Sequence, residues 1–262
     1  MTRLQAALSF DGKSSYIEVG YQPQLNPSQF TISCWAKVEG NPGQWRSPVT
    51  SRTDLPTGGY ILYAGQNNRW QFWIGDGSGW ATLEGADIVL DRWTHVAATY
   101  EGTTLKFYLN GEPVGEPVES KIRLNTSCPL RIGAGKTEGD PGCFFNGKIA
   151  EVRLWDRARS LAEIQKYLNC RLTGNEVGLG GYWPLNEGRG TIAKDKTSHG
   201  NDGTILGATW GQAELPIAAV PAVSGKTAFA TGLEDYGYWY RWKQTLPQSA
   251  GQKPFRRGRI WS

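Results

Sequence analysis

Cysteine, histidine and methionine are all scarce in this chain, and each scarcity removes a class of reading. The 262 residues hold four cysteines, Cys34, Cys128, Cys143 and Cys170, and the nearest pair is 15 apart, so neither a dense disulfide framework nor a CxxC metal site can be written. Only His95 and His199 offer an imidazole; His95 lies inside the strand-like stretch RWTHVAATY and reads as structural, His199 in the turn SHGND as solvated. No window approaches the ~18 consecutive apolar residues of a membrane-spanning helix, and the opening MTRLQAALSFDG lacks the apolar segment of a signal peptide. The expectation is a chain that is cytoplasmic at synthesis and does not insert in a membrane, acting alone or carried in an exported or particle-borne assembly. A phosphate loop is missing too, because GKT at 135–137 would need glycine where Leu130 stands.

Glycine, proline and aromatics are plentiful: 34 Gly, 14 Pro, 12 Trp and 11 Tyr suit many short strands joined by tight turns. The expected class is all-β. Alternation places the strands, since neighbouring side chains on a strand point to opposite faces. Phe30, Ile32, Cys34, Ala36 and Val38 form one apolar row, with Thr31, Ser33, Trp35 and Lys37 opposite. The same period gives Ile17 and Val19, then Trp70, Phe72 and Ile74, then Leu105, Phe107 and Leu109, after which Asn110-Gly111 supplies a two-residue hairpin turn. In GKIAEVRLWDRA it sends Ala150, Val152 and Leu154 inward. One helix is signalled at 161–168: Ser160 and Glu163 make a capping box, and Leu161, Ile164 and Leu168 share a face. Cys128 and Cys143 flank a loop between two strands and could pair under oxidising conditions.

Five segments carry a resemblance: LSFDGKSSYIEV at 8–19, FTISCWAKV at 30–38, DRWTHVAATYEGTTLKFYLNGE at 91–112, PLRIGA at 129–134 and FNGKIAEVRLWDRARSLAEI at 145–164. In this order they resemble the laminin G-like domain of the concanavalin A-like lectin/glucanase superfamily. The resemblance implies a two-sheet antiparallel jelly-roll sandwich with one short lateral helix, a scaffold used mostly for binding. YWPLNEGRG…GNDGTILGATW at 182–210 resembles the family's opening strands but follows the body here. It is expected to fold back as a permuted edge of the sandwich, within 178–211, because leaving Trp183, Leu185, Ile205 and Trp210 in solvent would forgo about 1.5–3 kcal/mol each.

Catalysis finds little support. Sandwich glycoside hydrolases place paired carboxylates on one strand face in an ExDxxE-type motif, and this sequence offers only adjacent Glu234-Asp235 and the dispersed Glu84, Asp87 and Asp91. Binding is better served. Trp35, Tyr63, Trp73 and Tyr108 occupy the rows opposite the apolar rows of their strands, where they either pack a second layer or stack on a ligand. Polar loops add Trp45 and Arg46 in GNPGQWRSP, Asn67, Asn68 and Arg69 in GQNNRW, and Asp76 and Trp80 in GDGSGW, a mixture of aromatic and hydrogen-bonding groups suited to a glycan or a protein ligand and also to ordinary turns. The resemblance implies a Ca²⁺ ion as a candidate cofactor, with Asp11, Asn186 and Asp195 as candidate ligands.

Charge divides the chain. Residues 1–216 hold 21 Lys and Arg against 22 Asp and Glu, while 217–262 hold 7 against 2. The body is expected at 1–216, a linker at 217–229 and a docking tail at 230–262. In that tail Tyr238, Trp239, Trp242, Phe255 and Trp261 are interleaved with Arg256, Arg257 and Arg259, a pattern suited to a neighbouring protein subunit. Nucleic acid is the less favoured partner, because the body is nearly neutral and brings no oligonucleotide-binding module. Three readings stand: a non-catalytic recognition domain attached by its tail; a purely structural or decorating subunit of an assembly such as a filament, tail-like particle or surface layer; and, least favoured, a glycoside-active enzyme.

Overall fold

The computed structural model describes residues 4–217, so the linker and tail expected at 217–262 lie almost wholly outside the described residues. In chain order the strands are β1 (Leu4–Asp11), β2 (Tyr16–Val19), β3 (Gln29–Val38), β4 (Arg46–Asp54), β5 (Thr57–Ala64), β6 (Arg69–Gly75), β7 (Trp80–Asp87), β8 (Trp93–Glu101), β9 (Thr104–Leu109), β10 (Glu112–Glu119), β11 (Leu130–Ile132) and β12 (Asn146–Trp155). Helix α1 (Leu161–Tyr167) follows, then β13 (Leu179–Trp183), β14 (Ile192–Ala193), β15 (Gly203–Leu206) and β16 (Thr209–Glu214).

They form two antiparallel sheets packed face to face. The first runs β10-β9-β8-β3-β12-β1-β16, with β13 also on β12; the second runs β14-β15-β2-β11-β4-β5-β6-β7. Between them lies the core, where Phe30, Ile32, Cys34, Ala36 and Val38 of β3 are all fully buried, as their alternation predicts. Phe30 packs on Tyr60 and Tyr100 with ring centroids 4.8 and 5.8 Å apart, tying the sheets together. The hairpin at Asn110-Gly111 has both residues at positive φ, +51° and +80°, as its turn type requires.

The segment after the helix folds back. β13 and β1 share one edge of β12 end to end, Val152 facing Trp183 and Leu8 facing Ile149. β16 then pairs with β1, Leu8 facing Trp210, and β15 pairs with β2 in the other sheet.

Two register expectations change. A bulge breaks the β12 ladder between Ala150 and Arg153, with Glu151 at φ +55°. Ile149, Val152 and Leu154 therefore line the core, and Ala150 joins Trp35 on the opposite face. On α1 the capping box of Ser160 and Glu163 forms as read and Ile164 is buried, but Leu161 is exposed, because a two-turn helix lying across the sheet buries only one position fully. All four cysteines are free thiols. Cys128 lies in a turn whose Asn125 binds Ser51, while the Cys143 carbonyl accepts from the Ser47 N–H, so the two sit near opposite ends of a stretch of β4 spanning roughly 13 Å. That exceeds the ~7 Å Cα reach of a disulfide.

The outer face of the first sheet is covered by a third layer made of α1 and its flanks. Trp35 donates its indole N–H to the Leu168 carbonyl at 3.1 Å, and Tyr108 packs against Ala97 and Ile164. Both side chains are therefore internal, and the expectation that Trp35 and Tyr108 present rings to a ligand is corrected: the helix occupies that side. Beneath this layer the Arg153 guanidinium donates to Glu151 at 2.8 Å and to the carbonyls of Tyr167 and Cys170, each at 2.6 Å. Tyr182 donates its hydroxyl to the same Glu151 carboxylate at 2.7 Å. His95 is buried beside Trp35, and burial, aided by the nearby Arg153 charge, pushes its pKa from near 6.5 down to about 3.

Glu151→Ala should lower unfolding stability by about 3–5 kcal/mol in urea titrations, because Arg153 and Tyr182 lose a buried acceptor and Arg171 loses its ion-pair partner. His95 should set part of the acid limb. Its folded-state pKa is depressed, so its contribution is whole above pH 6.5 and drains as pH falls toward about 3, by up to roughly 1.4 kcal/mol per pH unit. His95→Gln, which cannot titrate, should flatten that loss in denaturation curves taken from pH 7 to pH 4.

Candidate functional site

Among the described residues no helix covers the outer face of the second sheet, and although Ile61 and Tyr63 on it are buried, three of its indoles keep some exposure. On β5, Tyr60, Leu62 and Ala64 face the core, which turns Ile61 and Tyr63 outward; on β6, Trp70, Phe72 and Ile74 face the core, which turns Gln71 and Trp73 outward. Trp45, from the β3–β4 connection, leans over both, its ring centroid 4.9 Å from Tyr63 and 5.2 Å from Trp73. Trp80 at the start of β7 extends the row, 6.2 Å from Trp73. Tyr63 is a buried base and the three indoles are half-exposed. This aromatic platform is the strongest candidate site.

Each ring is held by polar neighbours. Trp73 donates its indole N–H to Gln71 Oε1 at 2.9 Å, and Gln71 Nε2 in turn reaches Asn67 at 3.1 Å and Glu84 at 3.3 Å. Asn67 also donates to Glu84 at 2.7 Å, and Arg69 pairs with Glu84 and, at 3.3 Å, with Asp87. At the other side Arg52 stands 5.6 Å from the centre of the Trp80 ring and ion-pairs with Asp54 at 3.0 Å and Glu138 at 3.6 Å. Thr137 pins this loop to β4 by exchanging hydrogen bonds with the Arg52 backbone. Burial, and then a hydrogen bond with Asp54, raise the Glu138 pKa above the usual carboxylate range, against the pull of Arg52. Cys143, beside Tyr63, has its thiol pKa pushed up by burial, which leaves it a weak nucleophile.

The candidate residues read from sequence thus divide. Trp45, Tyr63, Trp73 and Trp80 converge, with Asn67 and Arg69 at one rim. Arg46 does not belong to the surface: it is fully buried and donates to the carbonyls of Gly40 and Gly65 and to Asn68 Oδ1, at 2.8, 3.4 and 3.0 Å. It clamps the loop that carries Trp45 to the β5–β6 turn, where Asn68 adopts φ +60° and also binds the Gly43 N–H. Asp76 spends its carboxylate on Ser78 and Gly79 and shapes the β6–β7 turn. Gln71, Arg52, Asp54 and Glu138 were missed. Gln71 could have been found, since it shares the parity of Trp73, whereas Glu138 is brought in only by the tertiary course of its loop.

The metal candidates do not fit a cation. Asp11 accepts hydrogen bonds from Lys13, Ser14 and Ser15 in its own turn; these donors outweigh partial burial and hold its carboxyl below the usual range. Asp195 is buried and receives the N–H groups of Tyr182, Thr197 and Asn201. These carboxylates are occupied by N–H and hydroxyl donors, so Asp11 and Asp195 offer Ca²⁺ no free carboxylate, and no cluster of three or more His, Cys, Asp or Glu suited to a metal occurs among the described residues. A separate groove of about 350 Å³ lies among Gln24, Pro27, Asp156, Asn175, Glu176 and His199, but no Phe, Tyr or Trp lines it. No helix among the described residues is long and apolar enough to cross a membrane.

Comparison with known proteins fits this geometry. The Laminin_G_3 family model, of the concanavalin A-like lectin/glucanases superfamily, matches residues 11–165. Mouse pappalysin-1 is 26% identical over 191 residues, covering 63% of this chain and 11% of that protein. Mouse pentraxin-related protein PTX3 is 32% identical over 108 residues, covering 36% of this chain and 28% of that protein. The chain therefore spans about a tenth and about a quarter of the lengths of these relatives. Among solved structures, a putative carbohydrate binding protein from Bacteroides ovatus aligns with a TM-score of 0.65 at 23% identity, over 82% of this chain and 62% of that one. The CBM40 module of a Ruminococcus gnavus IT-sialidase, bound to alpha2,3 sialyllactose, aligns with a TM-score of 0.50 at 14% identity, over 62% of this chain and 97% of that one. These two likenesses concern the fold.

Arg46→Met should leave three acceptors around Trp45 without a donor and cost about 2–4 kcal/mol, read as a lowered midpoint in thermal unfolding.

Proposed function

The chain belongs to the Laminin_G_3 family of the concanavalin A-like lectin/glucanases superfamily, and we propose that it is a non-catalytic recognition domain that binds a glycan on the aromatic face of β4–β7. The observation that carries this reading is the convergence of Trp45, Trp73 and Trp80 on the solvent side of a sheet whose other side is already a filled core. Half-exposed indoles braced by amides and carboxylates suit a sugar, which offers one apolar C–H face for stacking and hydroxyls around its edge for hydrogen bonds. The carbohydrate-binding relatives of the same fold agree with it.

A binding role is favoured over hydrolysis by the placement of the carboxylates. Asp54 and Glu138 both pair with the same Arg52 nitrogen, at 3.0 and 3.6 Å, instead of flanking an open cleft as a nucleophile and acid do. Glu84 is bound to Asn67, Gln71 and Arg69. The tail at 230–262 complements the face: its net basic charge and its aromatic residues support attachment to a neighbouring acidic protein subunit.

Trp73→Ala should weaken glycan binding about tenfold or more in a glycan array followed by titration calorimetry, with Trp45→Ala and Trp80→Ala producing smaller losses. Unchanged binding in all three variants would remove the face from consideration. Truncation after Pro216 should leave glycan binding intact and abolish co-purification of the neighbour; retained co-purification would sink the tail's role.

A further inference from the structure

We infer that the aromatic face takes an uncharged, hydroxyl-rich sugar and selects against acidic ones such as sialic and uronic acids, an inference that rests on the glycan reading above. Three arginines of this face, Arg52, Arg69 and Arg131, are each already paired with carboxylates. Arg52 faces Asp54 and Glu138, with its side chain only 10% exposed. Arg69 sits between Glu84 and Asp87. Arg131, farther along the sheet, makes a two-pronged contact with Glu18 at 2.8 and 3.0 Å. The 135–142 loop brings Lys136, but with it Glu138 and Asp140.

Around the indoles themselves the ion-paired groups are Arg52 and Arg69 against Asp54, Glu84, Asp87 and Glu138, two cations to four carboxylates. At the Trp80 end Asp76 and Arg123, whose side chain lies beside Gly77, add one charge of each sign. A ligand carboxylate on this platform would either approach a surplus of carboxylates or displace Asp54 and Glu138 from Arg52. Both penalise an acidic sugar relative to a neutral one, because like charges in a partly dry site repel strongly. Neutral hydroxyls meet no such penalty: the carboxylates can accept from them and the half-exposed indoles can stack beneath them. The charge pattern thus separates this platform from sites built to grip a carboxylate, which present an arginine fork free for two-pronged pairing.

The test is a matched-pair titration of the full chain: lactose against sialyllactose, and neutral glucan oligosaccharides against oligouronides of equal length. The expected result is that the neutral member of a binding pair is held at least about tenfold tighter than the acidic one, with affinity that hardly changes between low and high salt. Binding of an acidic member as tightly as its neutral partner, lost in Trp73→Ala, would overturn the charge inference while keeping the face. Neutral binding that survives Trp45→Ala, Trp73→Ala and Trp80→Ala would overturn the face itself, and the absence of binding in every series would overturn both. Asp54→Asn combined with Glu138→Gln frees Arg52 and should raise affinity for the acidic members several-fold, in a salt-sensitive manner. Should that variant fail to fold, the matched pairs and salt series on the native protein decide the matter alone.

Discussion

The interruption of β12 at Glu151 is the constraint on which the two-sheet arrangement depends. A strand has two edges, and β12 gives one to β3 and the other to both β1 and β13, which meet end to end at the bulge. The extra residue turns the Glu151 carboxylate into the buried layer, where Arg153 and Tyr182 bind it and Arg171 lies 3.5 Å away. Two of these partners come from beyond the helix. One buried carboxylate therefore joins the middle of the chain to the segment that folds back, and it does so where an unpaired charge would be costly. Glycine is needed nearby as well: a Cβ on Gly147 would lie 1.9 Å from the Lys37 carbonyl, closing the space in which β3 and β12 pair.

The sandwich has two outer faces with opposite fates. Over the first sheet, α1 and the 157–172 segment bury Trp35, Tyr108 and His95 by supplying carbonyls and apolar contacts. The second sheet keeps its aromatic row uncovered among the described residues, and the polar effort there goes into bracing rings instead of roofing them. Arg46 holds the Trp45 loop from below, Gln71 orients Trp73, and Arg52 lies against Trp80. Such bracing lowers the entropy that a binding surface must lose when its ligand arrives.

The ion pairs on this face have a double consequence. Exposed pairs such as Arg69 with Glu84 add little to stability. Their larger effect is on selectivity, since each carboxylate that occupies an arginine fork withdraws it from a ligand. The aromatic platform is thereby left as a surface of π-faces and hydrogen-bonding groups on which Arg52 and Arg69 are already paired.

Much of the fold was legible along the chain because strand alternation is local: the β3 row from Phe30 to Val38, the inward rows of β6 and β9, the Asn110-Gly111 turn and the Ser160–Glu163 cap all follow from residue order and backbone sterics. The family resemblance was legible for the same reason, its motifs being strands in sequence. Alternation assigns a residue only to a face, however, and cannot say what covers that face. Trp35 and Trp73 carry the same signal, yet Leu168 and its neighbours roof the first while Trp73 stays half-exposed. Arg46 reads as a surface donor until three loop acceptors converge on it from distant turns. Glu138 reaches Arg52 across 86 positions of chain. Sequence determined the strands, their inward rows and the aromatic stock of the platform; which aromatic face remained open, and which charges were neutralised on it, was decided by packing between segments far apart in the chain, where no local periodicity reports.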